Sequence, residues 1–192
     1  MNLKDRLHDY LRQGRGALLW KLEGLSEYDL RRPLTPTGSN LLGIVKHTAS
    51  MDAEYFGPCF GRPHGLDLHW LPDSPETNAD FWATPEESKQ DIVDLYERAA
   101  ANSDATIGEL DLDSVGTVPW WNDGQGREVT LGWILAHMIA ETHRHAGHVD
   151  IVRELIDENV GHRREVDNMW QPTDGWPAYR ARLQTIAEQF TD

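Results

Sequence analysis

The stretch from Thr130 to Glu158, TLGWILAHMIAETHRHAGHVDIVRELIDE, most constrains what this chain can fold into. Four of the nine histidines lie within twelve of its residues: His137, His143, His145 and His148. Thr130 is a good N-cap and Gly161 follows the far end, so the stretch reads as one long helix. Each residue of a helix advances about 100° around the axis. With Glu141 set to zero, His145 lies at roughly +40°, His148 at roughly −20° and His137 at roughly −40°. Ile134, Val152 and Leu155 share that sector, whereas His143 and Arg144 do not. One stripe therefore runs Ile134, His137, Glu141, His145, His148, Val152, Leu155. Its aliphatic ends predict a face turned to a core. Ionisable groups in a core are costly unless they are paired or hold a metal.

The other periodic segments are also helical. Residues 3 to 23 carry Leu3, Leu7, Tyr10, Leu11, Leu18, Leu19 and Leu22 at helical spacing. Ser26 to Pro36 reads as a connection. A second helix is expected from Ser39 or Asn40 to Phe56, stopped by Gly57 and Pro58, with His47 in its middle. Ile44, Met51, Glu54 and Tyr55 fall on or near the face of His47. Residues 57 to 83 lack any period. With Phe56 at its start, this loop brings Phe60, Trp70, Phe81 and Trp82, enough aromatics to keep it ordered and packed. Thr84-Pro85-Glu86-Glu87 has the form of a helix start with a capping box, for a third helix running to about Ser103. Residues 104 to 129, with Trp120 and Trp121, form a second connection. Asp174 can cap a short last helix from about Trp176 to Gln189. The expectation is an all-α protein: one domain over residues 1–192, a four-helix bundle with long loops and a short extra C-terminal helix.

The net charge of −14 speaks against general nucleic-acid binding and against an anionic membrane surface. No apolar run is long enough for a spanning helix, and the N-terminus lacks the apolar segment of a signal peptide. Cys59 is the only cysteine. These features together point to a cytoplasmic protein.

Glu141 and His145 are one turn apart, so both side chains can reach one point, a spacing used repeatedly by helical metal sites. His47 is the best third donor. Two histidines and a carboxylate leave positions open, which is the pattern of catalytic rather than structural sites. The same pattern also suits a solvated face or a core hydrogen-bond network. His148 is a candidate proton acceptor, fourth ligand or core histidine. His137 and Glu54 are weaker candidates, while His8, His143 and His162 read as surface residues. Cys59 reads as packing, and Trp120-Trp121 as a loop anchor rather than a substrate platform.

Three segments carry a resemblance: LLGIVKHTASMDAEYFGPCFGRP, the aromatic loop after it, and WILAHMIAETHRHAGHVDIVRELID. The chain resembles the DinB superfamily. It is most similar to the branch holding mycothiol-dependent maleylpyruvate isomerase and the mycothiol or bacillithiol S-transferases. That branch has Glu-x3-His where many members have His-x3-His, and Glu141 and His145 match it. His47 matches the histidine of the second helix. The resemblance implies a DinB-like bundle and a divalent metal, Zn2+ first with Ni2+ or Fe2+ as options, held by His47, Glu141 and His145. It also implies partners: a low-molecular-weight thiol and a small electrophile, with a homodimer compatible with the family. The isomerases carry a further C-terminal domain, which this chain does not reach, so a transferase is expected. The competing expectations are a metal-binding stress-response bundle without turnover and a non-haem iron enzyme.

Overall fold

The computed structural model describes residues 2–71, 76–164, 166 and 169–191. Six helices are present among them: α1 (Leu3–Trp20), α2 (Glu27–Arg31), α3 (Leu41–Phe56), α4 (Lys89–Glu109), α5 (Leu131–Asp157) and α6 (Gly175–Ala187). A hairpin of β1 (Val115–Val118) and β2 (Arg127–Thr130) pairs antiparallel, with Val115 opposite Thr130. Single 3-10 turns occur at Pro58–Phe60 and Ala79–Phe81. The fold is all-α, and the hairpin is the only pair of strands among the described residues.

Local chemistry sets the helix ends. Asn40 bonds the backbone N–H of Gly43 at 2.8 Å and starts α3. Thr130 accepts from Trp133 N and starts α5 where expected. The start of α4 differs from the sequence reading. Glu87 does bond Thr84 N at 2.6 Å, but its carboxylate is also claimed by Lys46 at 2.8 Å. The Thr84 to Glu87 segment stays a turn, and α4 begins after Ser88, which forms its own capping box with Asp91. The helix then runs past Ser103 to Glu109. The supposed connection from Ser26 holds α2.

α3 is central, packed against α4 on one side and α5 on the other, and α1 packs along α5. Leu18, Leu22, Leu42, Val45, Ala49, Ile92, Tyr96 and Val149 fill one part of the core. Leu11, Phe56, Ile107, Val129, Leu135 and Met138 fill another, closed by the hairpin. A charged network crosses this packing. Arg15 on α1 reaches Asp52 on α3 at 2.9 Å and Asp104 on α4 at 2.6 Å, and His8 contacts Asp104 at 2.6 Å. His8 is thus a buried partner in that network rather than a surface residue. α6 buries none of its residues.

Candidate metal centre

The buried residues of α5 are Leu131, Ile134, Leu135, Met138, Thr142, His145, Ala146, Val149, Val152 and Arg153. Their mean direction lies roughly 80° from Glu141. The ionisable stripe is therefore the edge of the core face and not its centre. His145 is 8% exposed at the inner margin, Glu141 is half-buried, and His148 and Leu155 face outward. His143 lies on another side of the helix, where its Nε2 meets the Tyr10 carbonyl of α1 at 3.0 Å and its ring stacks on His162. His143 is an interhelical contact, not a plain surface residue.

α3 brings His47 to this edge. The rings of His47 and His145 meet edge to face with centroids 4.9 Å apart. Behind His47, the 3-10 turn at Ala79–Phe81 supplies two groups. Asp80 Oδ2 contacts His47 Nδ1 at 2.7 Å, and the Phe81 ring stacks on the imidazole at 3.9 Å. Burial would raise the Asp80 pKa, but the hydrogen bond and the charge of His47 outweigh it and hold the carboxyl below its ordinary range. With Asp80 as acceptor Nδ1 is the donor, and in the neutral form of the ring the lone pair is then on Nε2. A carboxylate behind a histidine in this way is a common support of metal ligands.

Glu141 Oε2 lies 3.7 Å from His145 Nε2. Two ligand atoms on one tetrahedral ion, bonded at about 2.0–2.2 Å, sit about 3.3–3.6 Å apart, so this pair is near ligand spacing. Burial first, then the neighbouring His47, His148 and Arg144, push the His145 pKa down to about 4. Its ring is neutral at pH 7, the form that binds metals. His148 Nδ1 lies 3.4 Å from His145 Nδ1, a long contact in which one nitrogen must donate. Among the described residues, no three His, Cys, Asp or Glu side chains stand, as placed, where together they could hold a metal ion. The donor set nevertheless fits a divalent ion: two imidazoles, one carboxylate and a carboxylate support.

Of the sequence candidates, His47, Glu141 and His148 each contact His145 in a separate pair. His137 lies a turn away against Tyr55 and Trp121. Glu54 is turned to His64 at 3.1 Å. Cys59 is buried, and burial together with Glu54 raises its pKa to about 12, which suits packing and not a nucleophile. Asp80 and Phe81 escaped the sequence reading. Their relation to His47 spans 33 residues of irregular chain, and only the aromatic density of the loop hinted at an ordered structure there.

A family model described as mycothiol-S-transferase matches residues 6–158. The chain belongs to the mycothiol-S-transferase family. Every element of the candidate centre lies within the matched span, and α6 lies beyond it. No curated protein matches the chain closely enough to count. Among solved structures, one titled as a conserved protein of locus from Enterococcus faecalis is similar over 83% of this chain and 99% of its own, with a TM-score of 0.64 and 18% identity. That likeness supports the fold alone. No helix among the described residues is long and apolar enough to cross a membrane.

Proposed function

We propose that the protein is a divalent-metal-dependent S-transferase that joins mycothiol, or a similar low-molecular-weight thiol, to a small electrophile. His47, Glu141 and His145 are the metal ligands in this reading, and Zn2+ is the first choice of ion. One observation carries it: in a chain of this family, a carboxylate-backed His47 meets a neutral His145, with Glu141 at near-ligand spacing.

A bound divalent ion would supply acidification of the thiol, so that its sulfur is a thiolate at neutral pH. The rest falls to side chains of this chain. Asp80 and Phe81 fix the plane of His47 and its tautomer. His145, donating from Nδ1 to His148, keeps Nε2 unprotonated toward Glu141. Phe81 covers one side of the centre, and the exposed His148 is the outlet through which the thiol proton passes to water. The thiolate sulfur then forms a C–S bond with the electrophilic carbon. A double bond shifts and is reprotonated, an epoxide C–O bond opens and takes up a proton, or a halide departs with the bonding electrons.

The test is mycothiol consumption with a generic halide or epoxide electrophile, with and without a chelator. The expected result is a rate that the chelator removes and Zn2+ restores. Metal binding without turnover would support the non-enzymatic bundle instead, and a strict requirement for iron and oxygen would support the non-haem iron enzyme.

A further inference from the structure

α3 and α5 run antiparallel along the candidate centre. His47 meets His145, and eight residues later Tyr55 meets His137, eight residues earlier on α5. The two meeting points are therefore roughly 12 Å apart at 1.5 Å per residue. The second one is roofed by the hairpin and the segment joining its strands. Trp120 and Trp121 stand edge-on to Tyr55 at 5.2 and 5.9 Å, and Trp121 also touches His137 and Trp133. Arg127 lies over the Trp133 ring.

The polar centre of this aromatic group is the hydroxyl of Tyr55, a residue only 6% exposed. Both neighbouring indoles donate to it, Trp121 at 3.0 Å and Trp120 at 3.4 Å. A hydroxyl has two lone pairs and one proton, so the acceptor capacity is used and the proton remains. Among the described residues no acceptor is hydrogen-bonded to that proton. A buried donor left without a partner is costly, and such groups commonly serve a ligand. Trp120 and Trp133 are each 42% exposed, so aromatic surface is open beside the donor. Aromatic faces suit the C–H faces of a ring, and a lone hydroxyl donor suits an oxygen on its rim. An apolar electrophile would leave the hydroxyl unused, whereas a sugar or cyclitol uses both features.

We infer that Tyr55, Trp120, Trp121 and Trp133 form a subsite for the sugar–cyclitol body of the thiol, with the sulfur at the His47–His145 contact further along α3 and α5. The inference rests on the reading of the metal centre as a thiol-sulfur site. It predicts that the thiol-free glucosaminyl-inositol binds the metal-free protein, since the subsite needs no ion.

The experiment titrates glucosaminyl-inositol into chelator-treated full-length protein and follows the indole N–H resonances. The expected result is a saturable shift of the Trp120 and Trp121 signals, with affinity at least tenfold weaker in Tyr55→Phe and in Trp120→Ala. In the metal-loaded protein the same substitutions should raise KM for mycothiol at least tenfold more than KM for N-acetylcysteine. The exposed position of Trp120 makes its variant a safe control for folding. Absence of saturable binding, or variants that bind like wild type, would overturn the subsite. So would a bound aromatic electrophile that shifts the same signals when the polyol does not. If the metal reading alone were wrong, polyol binding would persist while chelator-sensitive transfer would be absent.

Discussion

Asp80→Asn keeps the shape of the side chain and removes the charge that holds the proton on His47 Nδ1. Supports of this kind commonly change metal affinity 10–100-fold, so the variant is expected to bind Zn2+ about 10–100-fold more weakly while remaining folded. Competition with a chromophoric chelator measures this directly, and unchanged affinity would remove Asp80 from the centre. His143→Ala should behave oppositely. It loses the contact with the Tyr10 carbonyl, a stability loss of about 1 kcal/mol in urea unfolding, with metal content unchanged. The helical step alone separated His143 from Glu141 and His145. What spacing could not supply was Asp80, because nothing in an irregular loop marks which carboxylate returns to a distant histidine. Nor could it tell that the histidine stripe borders the core face instead of forming its centre. That depends on where α1 and α3 pack.

Gly43 decides how one element supports another. A Cβ at this position would overlap the carbonyl of Phe81, so α3 and the Ala79–Phe81 turn approach as closely as they do only because glycine stands there. Gly43→Ala should push the turn outward and carry Asp80 and Phe81 away from His47. The expected outcome is a lower melting temperature together with weakened Zn2+ binding, read by calorimetry with and without metal. A stability loss with full affinity would show that the turn is not needed by the centre. At this scale the helices were legible from period and caps, as the Asn40 start of α3 and the Thr130 start of α5 attest. The start of α4 was not, because two capping patterns lie four residues apart. Glu87 bonds Thr84 N and the tertiary partner Lys46 at once, the segment between stays a turn, and the second pattern begins the helix. The hairpin was hidden for a similar reason. Its four-residue strands depend on packing against Phe60 and Cys59, where Gly116 lets the backbone come close.

Across the whole molecule, the network of Arg15, Asp52, Asp104 and His8 ties α1, α3 and α4 together. Asp52 is 1% exposed, and removing it leaves the buried Arg15 with only the half-exposed Asp104 as a carboxylate partner. Asp52→Ala should cost about 3–5 kcal/mol in urea unfolding. Asp104 gives the network a pH signature. Burial raises its pKa, but His8, Arg15 and Arg12 more than offset this and hold it below the ordinary carboxylate range. A carboxyl with a depressed folded-state pKa stabilises fully above its unfolded value and loses that contribution as pH falls through the folded one. The stability gap between wild type and Asp104→Asn should therefore stay constant above about pH 5 and close as pH falls below about 4. The all-α class was readable from the whole sequence, because helical periods dominate it. The network was not, since a lone Arg15 or Asp52 looks like any surface charge until three helices are packed. The central claim is that His47, Glu141 and His145 hold one divalent ion. Its most direct test is elemental analysis of wild type, His145→Ala and His143→Ala, each loaded with Zn2+ and dialysed side by side. One ion per chain is expected in wild type and in His143→Ala, and none in His145→Ala. Full metal content in His145→Ala, or no retained metal in wild type, would contradict it.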